Sequence, residues 1–90
     1  MLRVGMSAAA AANETNVLIA EFEAEFERFM GWPAGTAMVE PCGTRKFLMS
    51  HPASVVFNRR ERDVMAHMCE YVNAKVPDGR MKFAGFRRRD

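Results

Sequence analysis

The 90-residue chain has little cysteine, with only Cys42 and Cys69. Two thiols do not make the multi-bridge framework of a small secreted domain, and free thiols in a cytoplasmic setting are the expectation. No apolar run approaches the ~20 residues that carry a helix across a bilayer, so no membrane role is expected. The N-terminal MLRVGMSAAAAAN reads poorly as a secretory signal, because it is rich in Ala rather than Leu and is interrupted by Gly5 and Ser7. No glycine-rich phosphate loop is present. The stretch Gly31–Gly35 (GWPAG) lacks the Lys-Ser/Thr of such loops and follows no predicted strand.

Metal ligands and nucleophiles are equally sparse. The candidates are Cys42, His51, His67 and Cys69, and none forms the close pairs that zinc sites use. His67 and Cys69 lie two residues apart on a predicted helix, so their side chains point about 200° apart. A catalytic cysteine needs a histidine within hydrogen-bond reach and a third group to orient it, and no local signature supplies them. The expectation is therefore no catalytic residue, no metal and no cofactor, which is to say not an enzyme.

What the chain does have is an ordinary globular composition, 49% hydrophobic and 27% charged. Its length suits one domain with a single modest core. Residues 13–86 form that domain, preceded by a flexible Ala-rich tail over 1–12 and followed by a basic tail over 87–90. Charge is unevenly placed. Residues 1–40 hold two basic and six acidic residues, net −4, and residues 41–90 hold eleven basic and five acidic, net +6.

Periodicity predicts two helices. In the first, over about 14–30, Leu18, Ile19, Phe22, Phe26, Phe29 and Met30 fall on one arc, and Gly31 and Pro33 end it. The second runs from Asn58, a good N-cap residue, to Val76, where Pro77-Asp78-Gly79 stops it. Its apolar face comprises Val64, Met65, Met68, Tyr71, Val72 and Val76. Between the helices, Thr36–Glu40, Arg45–Ser50 and Ser54–Phe57 read as short strands of an antiparallel meander, and Arg80–Ala84 can add a strand at an edge. The fold class expected is α+β: two amphipathic helices packed on a small antiparallel sheet, in the order α-β-β-(β)-α.

Two charge clusters are the candidate binding residues. Arg59, Arg60 and Arg62 crowd the first turn of the second helix, where cations are unfavourable by roughly 0.3–1 kcal/mol each. They read either as a solvated turn or as a dock for an anionic partner. Arg87, Arg88 and Arg89 extend the basic character at the C-terminus. Glu21, Glu23, Glu25 and Glu27 give the first helix an acidic flank, which either complements the basic half of the same chain or docks on a basic partner.

The stretch Phe57–Met65 (FNRRERDVM) resembles the opening of the helix-turn-helix output domain of quorum-sensing-type transcription regulators. The stop at Pro77-Asp78-Gly79 leaves no room for a recognition helix, so nothing is carried over from it. The function expected is a protein-binding module that acts by stoichiometric docking. It would serve as an inhibitor, adaptor or accessory subunit of a larger complex, phage-type inhibitors of host complexes included. A homodimer pairing the acidic flank with the basic turn is a variant of that idea. The alternative is a nucleic-acid-binding accessory protein using the basic C-terminal half, in which Arg80, Lys82 and Arg87–Arg89 interleave with Phe83 and Phe86.

Overall fold

A computed structural model describes the backbone of residues 8–89 and the side chains of residues 13–89. The element order is α1 (Ala8–Met30), β1 (Met38–Pro41), β2 (Lys46–Pro52), α2 (Glu61–Lys75) and β3 (Lys82–Arg89). The expected α+β class is what forms, with both helices and a sheet ordered β1-β2-β3. Ala8–Ala12, within the tail expected over 1–12, belong to α1, and the rest of that tail, residues 1–7, and Asp90 lie outside the described residues. At the other end, Arg87–Arg89 are the last part of β3 and not a tail.

The helices bury the stripes their periodicity predicts. Phe22, Phe26 and Met30 of α1 meet Val64, Met68 and Val72 of α2 in one core with Phe47 and Met49 of β2. Phe22 stacks on Phe47 with ring centroids 5.4 Å apart. The helix pair is antiparallel, as Glu21 reaches Lys75 at 3.7 Å and Glu25 reaches His67 at 2.6 Å. α1 ends in a Schellman turn. Trp32 N–H bonds to Glu27 C=O at 2.9 Å, Gly31 N–H bonds to Arg28 C=O at 3.3 Å, and Gly31 takes the positive φ of 73° this turn requires.

The sheet is mixed, not the expected antiparallel meander. β1 and β2 pair antiparallel across the turn at Cys42–Arg45, but β2 and β3 pair parallel. The reason is the intervening helix. β2 ends where α2 begins, α2 carries the chain back along the sheet, and β3 then runs in the direction of β2. The predicted strand at Ser54–Phe57 does not form. There Trp32 donates its indole N–H to the Val56 carbonyl at 3.0 Å, and Phe57 packs on Phe86 with centroids 4.7 Å apart.

β3 carries one irregularity with consequences. Its register against β2 shifts between Phe47 and Leu48, so that Phe83 faces Phe47 and Gly85 faces Leu48. The extra residue, Ala84, is a β-bulge, and Gly85 beside it has φ 151°. In a regular strand, residues three apart point to opposite faces. The bulge turns both Phe83 and Phe86 toward the helices, where Phe83 meets Phe47 at 5.8 Å and Phe86 meets Phe26 at 6.4 Å.

Candidate functional site

Parallel pairing puts the C-terminal ends of β2 and β3 and the N-terminus of α2 at one end of the molecule. The crevice outside such strand ends is where open α/β sheets commonly place ligands. An open groove of about 420 Å³ lies there, lined by His51, Phe57, Glu61, Phe86, Arg87 and Arg88. His51 is nearly buried, at 6% exposure, with its ring 5.1 Å from Trp32 and 5.6 Å from Phe57. Its Nδ1 lies 3.2 Å from the Pro52 carbonyl. Both arginine clusters singled out in the sequence therefore converge on one end, although some 25 residues separate them in the chain.

Their members do different things. Arg59 reaches back to α1, donating from Nε to the Phe29 carbonyl at 2.6 Å, with its guanidinium 4.3 Å from the centre of the Phe29 ring. Asn58 donates to the Met30 carbonyl at 3.0 Å and does not cap α2 as its sequence position suggests. These two carbonyls belong to the last turn of α1, which has no intrahelical donors. Arg59 thus sits at the negative end of the α1 dipole, where a cation is favourable, and the conflict expected at the start of α2 is smaller than the sequence implies. Arg60 is the N-cap of α2, which makes no side-chain cap, and the Arg60 carbonyl receives the N–H groups of Asp63 and Val64. Its guanidinium enters no ion pair among the described residues, and Arg62 has only Asp63 at 3.9 Å.

The β3 arginines also divide. Arg87 crosses the sheet face that carries no helix and binds Glu40 of β1 from Nε at 3.0 Å and from a terminal nitrogen at 2.7 Å. Hydrogen bonds from Arg87, assisted by Ser50, hold the Glu40 carboxyl below its usual range. Arg89 donates to the Ser50 hydroxyl at 2.7 Å and to the Thr36 carbonyl at 3.2 Å. These two side chains clamp the three strands together from the open face. Arg88, between them, points toward the groove it lines.

The glutamates of α1 are engaged within the chain. Glu27, nearly buried, accepts from Ala37 N–H at 2.9 Å, and Glu23 accepts from Val39 N–H at 2.9 Å. Pairing of Cys42 N–H with the Lys46 carbonyl fixes the phase of the ladder, so the N–H groups of residues 37 and 39 point away from β2. The two carboxylates therefore cover the free edge of β1. Glu25 binds Arg28 through Nε at 2.9 Å and His67 at 2.6 Å, and the Arg28 hydrogen bond holds its carboxyl below the usual value. The His67 ring also stacks on Phe29 at 4.1 Å.

Cys42 and Cys69 are both free thiols. Cys42 is exposed in the β1–β2 turn, and Cys69 approaches the Phe83 carbonyl at 3.7 Å. Among the described residues no group of three His, Cys, Asp or Glu is placed to hold a metal ion, and no helix is long and apolar enough to cross a membrane. Sequence reasoning missed His51, Phe57 and Phe86 as groove residues, because the parallel crossover and the bulge that assemble them leave no local signal. Comparison with known proteins finds no match to a family model, to a curated protein or to a solved structure.

Proposed function

We propose that this protein is a non-enzymatic protein-binding module that docks an acidic surface of a partner at the α2 N-terminal end. In this reading Arg60, Arg62 and Arg88 supply the charge. The groove that Phe57 and Phe86 help to line takes an apolar side chain from the partner. The observation that carries it is the placement of the two basic segments at one end of the molecule, beside a partly apolar groove lined by Arg87 and Arg88, while the acids of α1 are engaged inside the chain. Charge of one sign around an apolar centre steers association and fixes orientation, as an inhibitor, adaptor or accessory subunit requires. The free thiols suit a cytoplasmic setting.

The nucleic-acid alternative draws less support. It relied on Phe83 and Phe86 as stacking platforms, yet Phe83 is only 6% exposed and Phe86 packs on Phe26 and Phe57. Arg87 and Arg89 have partners across the sheet. A homodimer through the acidic flank is weakened for a similar reason, since Glu23 and Glu27 bond to the β1 backbone.

The test compares the full chain with an Arg60→Gln/Arg62→Gln/Arg88→Gln variant in affinity purification from its host, then in native mass spectrometry of the recovered complex. The expected result is a complex of defined stoichiometry whose affinity falls about tenfold or more in the variant, as loss of several charge contacts requires. Recovery of nucleic acid alone, or equal retention of the partner by the variant, refutes the proposal.

A further inference from the structure

At the opposite end of the sheet, where β2 and β3 begin, lies a second open groove of about 350 Å³. Its walls are apolar, from Ile19 of α1, Val39 of β1, Phe47 of β2 and Met81 before β3, and Arg45 and Lys46 line its edge. That volume is at the low end for small-molecule sites, which combine an apolar lining with a few convergent polar groups.

The cations here are unbalanced. Lys46 and Lys82 are register partners on adjacent parallel strands, so like charges sit side by side. Arg45, Lys46 and Lys82 are all exposed and enter no ion pair among the described residues. Arg80, also at this groove, does have acidic neighbours, Glu14 at 3.3 Å and Asp78 at 3.8 Å. A second observation is independent of charge. Among the described residues Arg45 is the non-glycine residue of positive φ, at 60°, a conformation unfavourable for a residue with a Cβ. Its carbonyl accepts Lys82 N–H at 2.8 Å, which pins the β1–β2 turn to the entrance of β3 and holds Arg45 at the groove. Backbone strain of this kind gathers at ligand sites.

We propose that this groove binds a small amphipathic carboxylate, an acyl or aryl acid of medium length. Its apolar body lies against Phe47 and Met81, and its head group meets Arg45 and Lys46, with Lys82 adding to the local positive potential. A purely polar anion such as phosphate leaves the apolar walls uncovered, and an uncharged apolar molecule leaves the cations unanswered. The site shares no residue with the arginine-lined groove at the other end and does not depend on the docking function proposed for it.

Decanoate is a suitable probe, titrated into the ¹⁵N-labelled full chain and followed by amide chemical shifts. The expected result is saturable shifts concentrated at Val39, Gly43–Phe47 and Met81–Lys82. Affinity is expected to fall about tenfold in an Arg45→Gln/Lys46→Gln/Lys82→Gln variant, as charge-assisted contacts imply, and to be unchanged in Arg60→Gln/Arg62→Gln. Decan-1-ol and decyltrimethylammonium, tested on the unaltered chain, keep the result independent of any effect of substitution on folding. Equal binding of either one, shifts centred elsewhere, unchanged affinity in the triple variant or no saturable shift with decanoate overturns the proposal.

Discussion

Arg59 shows how a residue's role depends on which helix it serves. In the sequence it is a cation at the wrong end of α2. In the fold it donates to the Phe29 carbonyl at the C-terminus of α1 and covers the Phe29 ring. Its neighbour Arg60 has an exposed guanidinium without an ion-pair partner among the described residues. Arg59→Gln is therefore expected to destabilise the protein by about 1 kcal/mol, through loss of a helix-end cation and a cation–π contact. Arg60→Gln is expected to change stability by less than about 0.5 kcal/mol, as exposed substitutions do. Urea unfolding of both variants checks the contrast, and equal effects would remove the structural role of Arg59. Glu23 and Glu27 teach the same lesson. Four residues apart on one helix, they read as part of an acidic flank facing basic groups, but their spacing matches alternate N–H groups along the edge of β1.

Among the elements, β3 decides most. It makes the sheet mixed, carries the bulge that turns two phenylalanines inward, and delivers Arg87 and Arg89 to the open face. Gly85 is the hinge of that arrangement. A Cβ placed there meets nothing within 4 Å, so any cost of Gly85→Ala comes from its φ of 151° and not from a clash. The expected loss is about 1–2 kcal/mol, the range for a residue with a Cβ held in a glycine-only region. Near-UV circular dichroism should weaken with it, because Phe86 and Phe57 lead on to Trp32. Unchanged stability and an unchanged spectrum would show that the bulge is not required for the packing of Phe86. The helices were the most legible elements in the sequence, since one apolar stripe against one core is a local property. The strand at Arg80–Ala84 was legible in part, as an edge strand whose direction and length were not.

Over the whole molecule, the net −4 of the first forty residues and the net +6 of the remainder are joined by ion pairs that tie distant segments, Glu21 with Lys75 and Glu40 with Arg87. Two carboxyls carry a pH dependence of known sign. The carboxyls of Glu25 and Glu40 are held below the usual carboxylate range in the folded chain, chiefly by hydrogen bonds from Arg28 and Arg87. A carboxylate depressed on folding stabilises the folded state above its unfolded pKa, and that contribution disappears as pH falls through the folded value. Urea midpoints should hold steady from neutral pH to about 5 and fall below about 4.5. A Glu25→Gln/Glu40→Gln variant should show a flatter acid limb, and an identical limb would mean that other groups govern acid unfolding.

The sequence by itself determined the helices, their buried stripes, the turn that ends α1, the α+β class and the polarity of charge. Each of these follows from residue types at helical or turn spacing, within reach of neighbours a few positions away. The tertiary structure alone decided strand direction, the bulge, and the distant partners of Glu23, Glu27, Glu40, Arg59, Arg87 and Arg89. Parallel pairing depends on where α2 returns the chain, and an arginine's partner depends on which backbone carbonyl or carboxylate the fold brings within about 3 Å. The same dependence separates the two candidate sites. The arginine runs were visible as letters, but only the crossover brings them to one end, beside a groove that Arg87 and Arg88 line, and only the pinned turn at Arg45 leaves three cations unanswered beside another.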